Sequence, residues 1–227
     1  RRSRHTGRLM IDTEAFDPGH PHPGLDDMID IEWVDKRAGV AGLLRVAVRP
    51  TVGASWFLAV VHERGTSPVV ILDYELPLVS NAWEFRAPGI WTDFVCETPI
   101  EQWTVGLEAF GIAVDSDVVV TPETFGDHTP VGLDVDVEAA MAPDDDGEGF
   151  GHDITFRGEV LVGTNAYEVD AVGVRRRRWD GQWPRLTPLP LGFEPETRVA
   201  VLWPGQPSPE VRGWVGGNRP GWVELPG

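Results

Sequence analysis

The feature that most constrains this chain is a strand-like alternation that runs into four consecutive arginines at residues 175–178. Side chains two residues apart share one face of a β-strand. The face that carries the smaller, more apolar side chains of this segment therefore also carries Arg175, Arg177 and Trp179. The arginines between them belong to the opposite face. The pattern predicts a strand that carries two arginines and a tryptophan toward a β interior.

Arginines beside tryptophans are also typical of surfaces that bind nucleic acid. The chain, however, holds 36 acidic against 19 basic residues, a formal net charge of −17. Long-range repulsion at this charge opposes binding to nucleic acids and to anionic membranes. We therefore expect no nucleic acid and no membrane among the partners. The alternative to the buried arrangement is that the four arginines lie at a solvent-exposed end of the strand.

Short β-like runs separated by turn residues dominate the rest of the sequence. Their spacing of roughly 8–12 residues is typical of a sandwich or barrel, so the predicted fold class is all-β. Helical periodicity is limited to residues 99–110 and 137–141, and the first of these contains β-favouring residues. The β-like runs cover residues 44–48, 56–61, 69–72, 156–162, 167–174, 198–203, 210–215 and 222–225.

A change in composition at residues 121–129 predicts a domain boundary near residue 126. The predicted organisation is a flexible N-terminal arm at 1–27, a first β unit at 28–126 and a second β unit at 127–227. A chain of 227 residues is long enough to bury a core in this arrangement. The single cysteine, Cys96, excludes an internal disulfide and favours a reducing compartment, so we expect a cytoplasmic protein.

A segment dense in tryptophan and carboxylate residues, 83–108, holds the candidate catalytic groups. In an extended conformation Trp91, Asp93 and Glu97 share one face. A carboxyl group on a tryptophan-lined face has its pKa raised by desolvation, which suits a general acid. The alternative interpretation is that both acids are rim carboxylates beside core tryptophans.

The inward arginines allow two further hypotheses. Arg175 or Arg177 could pair with Asp93 or Glu97, or could hold the carboxylate of a ligand by two hydrogen bonds. The ten tryptophans indicate a pocket for a flat or extended apolar molecule, and such an apolar small molecule is the expected partner. The residues predicted to contact it are Trp91, Trp103, Tyr74, Arg175, Arg177, Trp179 and Trp183.

No metal or cofactor is expected. His20 and His22, together with Asp17, Asp26 and Asp27, could bind an ion, but they lie in the segment predicted to be a flexible arm. The sequence holds no glycine-rich phosphate loop, no dinucleotide-binding fingerprint and no nucleophile elbow.

The segments 91–111 and 158–183 together resemble proteins related to AttH and carotenoid 1,2-hydratase. This resemblance implies two lipocalin-like antiparallel β-barrel or sandwich units with a ligand cavity. The family pattern Gly-x-x-Arg-x-His-x-Trp-Gly corresponds here to Gly173, Arg175, Arg177, Trp179 and Asp180. Arginine thus replaces the family's histidine, and arginine does not release a proton near neutral pH.

The resemblance implies a small-molecule enzyme acting on an isoprenoid, steroid or polyketide-like substrate, as a hydratase, cyclase or pericyclase. Asp93 or Glu97 would then act as the acid, and tryptophan faces would stabilise a cation. The alternative is a non-catalytic binding protein for a lipophilic carboxylate, anchored by Arg175 or Arg177. A third hypothesis is a structural protein whose core is filled.

Overall fold

The computed structural model describes residues 13–115, 119–120, 123–145, 149–179, 198–201, 210–215 and 223–224. In these residues the regular structure is almost entirely β, with a single four-residue helix, α1 (Thr13–Phe16). The predicted all-β class is confirmed. Within the described part of the chain, no helix has the length and apolar character needed to span a membrane.

The strands follow the β-like runs of the sequence. The segments with helical periodicity fold mostly as strand, over residues 102–110 and 137–139, because alternate residues there are buried against the core. The bounds are β1 (Asp27–Asp35), β2 (Val40–Arg49), β3 (Ala54–Glu63), β4 (Val69–Leu76), β5 (Trp83–Ala87), β6 (Ile90–Thr98), β7 (Gln102–Ala113), β8 (Val119–Val120), β9 (His128–Ala139), β10 (Asp144–Asp145), β11 (Gly149–Val162), β12 (Asn165–Arg178), β13 (Arg198–Val201), β14 (Glu210–Val215) and β15 (Val223–Glu224).

Eight antiparallel strands close into a ring. Starting at β9, the backbone pairing passes through β11, β12, β1, β2, β3, β4 and β7 and returns to β9. Closure leaves these strands without a long unpaired edge. We call this ring the barrel.

The weakest seam of the barrel lies between β4 and β7. These strands pair only through Val69 with Ala113 and Val70 with Ile112. The remainder of this edge of β7 pairs with β6, and β6 pairs with β5, so the β5–β6 hairpin extends the sheet at this seam. Strands β8, β13, β14 and β15 form a separate small sheet.

The backbone pairing crosses the boundary predicted near residue 126. Strand β12 pairs with β1, and β9 pairs with β7, so the barrel contains strands from both sides of that position. Two lipocalin-like units are therefore not confirmed, because strands from both sides of residue 126 pair within one ring. The division into units at 28–126 and 127–227 stays a prediction.

The barrel interior is filled by apolar side chains from alternate positions of its strands. The Trp33 ring stacks on Phe156 with ring centres 4.6 Å apart and planes inclined by 8°. Gly42 leaves room for the indole, because a Cβ at this position would lie 2.7 Å from the Trp33 ring. The outer faces of β1 to β4 carry a second apolar cluster that includes Trp56 and Tyr74.

Candidate functional site

Two arginines enter the barrel at the end of β12. Arg175 and Arg177 share a face with the core residues Val169 and Ala171, and their exposed fractions are only 1% and 0%. This is the facing that strand parity predicts. The intervening Arg176 lies on the opposite face, where it pairs with Glu32 at 2.8 Å.

The carboxylate of Asp17 receives hydrogen bonds from four groups of the barrel end. Arg175 donates from Nη1 to Oδ2 at 2.9 Å and from Nη2 to Oδ1 at 2.7 Å. Arg177 Nη1 donates to Oδ1 at 2.9 Å. The Ile100 backbone N–H and the Trp103 indole N–H donate to Oδ2 at 2.7 and 3.1 Å. Both charges of the Asp17–Arg175 pair are thus compensated inside the protein.

Arg177 also holds a second buried acid. Its Nη2 and Nε atoms donate to Asp27 Oδ2 at 2.8 Å and Oδ1 at 3.2 Å. His22 Nδ1 lies 2.7 Å from Asp27 Oδ2. Arg177 completes its hydrogen bonds on the backbone oxygens of Pro18 and His20, at 2.6 and 2.8 Å. The arginines are therefore held by Asp17 and Asp27, and not by the Asp93 or Glu97 that the sequence suggested.

The ion pairs keep both acids charged. Burial by itself raises the pKa of Asp17, but the neighbouring Arg175 and Arg177 guanidinium groups outweigh burial and lower this pKa to about 2. Burial likewise opposes ionisation of Asp27, but the hydrogen bond from His22 and the charge of Arg177 lower its pKa below the usual value. The cluster is an ionic structure, with no carboxylic acid ready to donate a proton near neutral pH.

Aromatic rings surround the two guanidinium groups. Arg175 Cζ lies 4.3 Å from the centre of the Trp103 ring and 5.3 Å from that of Phe150. Arg177 Cζ lies 5.2 Å from the Trp83 ring centre. Such contacts between cations and aromatic faces are favourable and orient the guanidinium planes.

His152 is one of the unmatched polar groups of this region, together with Arg175 Nε and the Trp83 indole N–H. It lies opposite Arg175 in the β11–β12 pairing, and its side chain is buried, with an exposed fraction of 5%. Burial and the Arg175 charge lower its pKa to about 4, so the imidazole is neutral near pH 7. The Met141 backbone approaches the ring, yet neither ring nitrogen reaches hydrogen-bonding geometry with a described group.

The described part of the predicted flexible arm, residues 13–27, packs on the barrel end. The Phe16 ring stacks on Phe150 at 5.0 Å and meets Trp179 edge-on at 5.3 Å. The His22 ring lies 4.8 Å from Trp179. These aromatic contacts fix the segment on both sides of Asp17, whose carboxylate points inward.

The predicted catalytic acids lie elsewhere. Trp91 and Asp93 share one face of β6, and the core residue Phe94 lies on the other face. The pairing of β6 with β7 is irregular at Glu97. Asp93 Oδ1 accepts the Gly106 backbone N–H at 3.1 Å, and Glu97 is exposed. The role of both acids in catalysis stays a prediction.

The predicted ligand contacts fall into separate regions. Trp103, Arg175, Arg177 and Trp179 meet at the barrel end. Tyr74 lies on the outer face of β4 with its ring 5.1 Å from that of Trp56. Trp91 lines a shallow groove of about 580 Å³ that also carries Glu108, Asp134 and Glu159. Trp183 lies outside the described residues.

A second groove lies on the outer face of β1, β12 and β11, and we call it the sheet groove. Two rows of side chains cross it: Val34–Val172–Thr155, and Glu32–Val174–Asp153. Its volume is about 460 Å³. Ala140 donates its backbone N–H to the Asp153 carbonyl at 2.8 Å, and Met141 follows it along the edge of the groove.

Apolar side chains in the sheet groove face solvent. Val172 and Met141 are exposed by 65% and 63%. Glu32 is the buried polar group of the groove. Burial raises its pKa above the usual value, although Arg176 opposes the rise. An apolar surface with one enclosed carboxyl group is suited to hold a small molecule in a defined orientation.

Sequence reasoning missed several of these residues. The sequence marks Asp17 and Asp27 only as possible ion ligands, because no periodicity distinguishes residues 13–26. It places Val172 in a strand, but the exposure of this residue depends on what covers the outer face of that strand. Within the described ranges, no group of three or more His, Cys, Asp or Glu side chains has metal-binding geometry.

Comparison of the chain with protein-family models, with curated proteins and with solved structures gives no match.

Proposed function

We propose that this protein binds a small, largely apolar molecule in the sheet groove, without catalysing its conversion. The observation that carries the proposal is the concave apolar surface, in which Val172 and Met141 are exposed to solvent. Contiguous exposed apolar surface of this kind often marks a site where a ligand or another molecule binds. A volume of about 460 Å³ lies within the roughly 300–1,000 Å³ typical of small-molecule pockets.

The chemistry of the groove favours an apolar body with one hydrogen-bonding group. Glu32 and Asp153 are the ionisable side chains of its lining. Glu32 is paired with Arg176, so its carboxylate has a defined orientation at the wall of the groove. The valines and Met141 supply the contact area. An oriented carboxyl group in an apolar surface supports the binding of a molecule with one polar group.

The resemblance to proteins related to AttH and carotenoid 1,2-hydratase supports a small-molecule role, since members of that family act on isoprenoids or polyketides. An enzyme using Asp93 or Glu97 remains the alternative derived from the sequence. Neither acid lines the sheet groove. A molecule in the sheet groove is therefore not expected to contact Asp93 or Glu97.

The test uses the neutral fluorescent probe N-phenyl-1-naphthylamine and the variant Val172→Asp, which introduces a charge into the groove. We expect the wild type to bind the probe in a saturable manner and the variant to bind it at least ~10-fold more weakly, because a charged group must then be desolvated. The matched control is Val95→Asp, since Val95 is an exposed valine on β6 outside the groove. Equal weakening in both variants, or no saturable binding to the wild type, would contradict the proposal.

A further inference from the structure

The barrel end that holds Asp17 is a second possible binding site. Its donors are Ile100, Trp103, Arg175 and Arg177, which belong to β7, to β12 and to the turn before β7. We call these four residues the carboxylate clamp. The acid they hold comes from outside the barrel strands, in the segment that precedes β1 in the chain. The residues of the clamp therefore belong to the barrel strands and the turn before β7. The carboxylate that occupies it belongs to the segment before β1.

The clamp is built to bind a carboxylate group. Arg175 meets Asp17 with two parallel hydrogen bonds, the geometry that a guanidinium group uses for a carboxylate. The Ile100 backbone has a φ angle of 69°, a left-handed conformation that a β-branched side chain disfavours. This strained residue donates its N–H to Asp17. Strain of this kind is typical of sites where the surrounding structure holds a group for a function.

The clamp also has hydrogen-bonding capacity that Asp17 leaves unused. Arg175 Nε and both ring nitrogens of His152 are buried and have no partner in the described structure. Buried donors and acceptors without partners are rare, since each costs about 1–3 kcal/mol. Asp17 meets Arg175 end-on, through Nη1 and Nη2, and so leaves its Nε without a partner. A carboxylate that approaches Arg175 from its Nε side has this donor available.

From these observations we propose that the carboxylate clamp binds the carboxylate of a small apolar acid, and that Asp17 is an internal substitute for it. Trp103 and Phe150 flank Arg175, and Trp83 flanks Arg177, so the anion lies among aromatic surfaces. An aliphatic or aromatic tail packs against such rings. Binding of the free acid displaces residues 13–22 and breaks the Asp17–Arg175 pair. This site is independent of the sheet groove.

The experiment compares wild type with Asp17→Asn, titrated with decanoate by calorimetry near pH 7. Decanoate binding to the wild type must displace the internal carboxylate, whereas the variant holds only a neutral amide in its place. We expect the variant to bind decanoate at least ~10-fold more tightly. The matched control is Asp26→Asn, a buried acid of the same segment that pairs with Arg49 and Thr51 instead of the clamp. Its affinity should equal that of the wild type.

Hydrogen exchange on the wild type keeps the proposal testable if Asp17→Asn does not fold. Saturating decanoate should accelerate exchange in residues 13–22, and decanol, which has the same tail without the charge, should not. Equal responses to decanoate and decanol, equal affinities of the three proteins, or unchanged exchange at saturation would each overturn the proposal. Because Val172→Asp alters only the sheet groove, loss of naphthylamine binding with retained decanoate binding separates the two sites.

Discussion

Asp17 and Arg175 form a two-point ion pair at 2.9 and 2.7 Å, although 158 positions separate them in the sequence. Both side chains are almost completely removed from solvent. The pair connects the segment before the first barrel strand to the end of the last one. It thereby fixes the N-terminal segment on the barrel and occupies the inward arginine that the sequence assigned to a ligand.

Removal of the Asp17 carboxylate should destabilise the protein strongly. Asp17→Ala leaves Arg175 buried without its partner, and breaking a buried pair in this way costs about 3–5 kcal/mol. Urea denaturation measures the free energy of unfolding. Asp170→Ala, which removes an exposed partner of Arg157, is the control and should change it by less than about 1 kcal/mol. A similar loss of unfolding free energy in the two variants would show that the buried ion pair contributes no more to stability than the exposed one.

Stability should depend on pH through His152. Its folded pKa of about 4 lies below the unfolded value of 6.5, so the unfolded chain binds a proton more readily. The stabilising contribution is complete above pH 6.5 and is lost as pH falls through about 4, with a total of up to about 3 kcal/mol. His152→Gln should flatten the dependence of the unfolding free energy on pH between these values.

The control for this titration is His128→Gln, because His128 is exposed. This variant should keep the wild-type slope. Comparison of slopes, rather than of absolute stabilities, removes any change in packing that the glutamine introduces. A wild-type slope in His152→Gln would contradict the assignment of this pH dependence to His152.

The Trp103 indole should contribute more to stability than the Trp91 indole. Trp103→Phe removes the N–H that donates to the charged Asp17, and a hydrogen bond to a charged group contributes about 1.5–3 kcal/mol. Trp91 is only partly buried, and its N–H lies 3.5 Å from Glu84. We expect Trp91→Phe to lower the unfolding free energy by less than about 1 kcal/mol. The reverse order in urea denaturation would argue against the role of the indole in the clamp.

Gly42 should tolerate no side chain. An added Cβ would lie 2.7 Å from the Trp33 ring, which is itself stacked on Phe156 and has no room to move. Gly42→Ala should therefore lower the unfolding free energy by about 1–3 kcal/mol, the usual effect of overpacking a core. At Gly151 the nearest atom to an added Cβ is Arg176 Cγ at 3.4 Å, an ordinary contact. Gly151→Ala is the control, and a thermal melt in which both variants match would refute the expectation.

The sequence predicted the local features of the fold well. Strand identity depends on alternation and turn residues, which act over a few positions, so most strands and the facing of Arg175 and Arg177 followed from the pattern alone. The two segments with helical periodicity fold mostly within β7 and β9. In both, pairing with neighbouring strands fixes an extended backbone whatever the local preference.

The sequence by itself determined that the chain is β-rich and that two arginines face inward, because side-chain facing repeats every two residues along a strand. Only the tertiary structure decided which acids those arginines meet. Asp17 comes from an irregular segment without periodicity, and its contact with Arg175 arises from closure of the ring between β12 and β1. The sheet groove likewise depends on three strands that are distant in sequence. Such long-range pairings are set by the global packing of the chain, which no local pattern encodes.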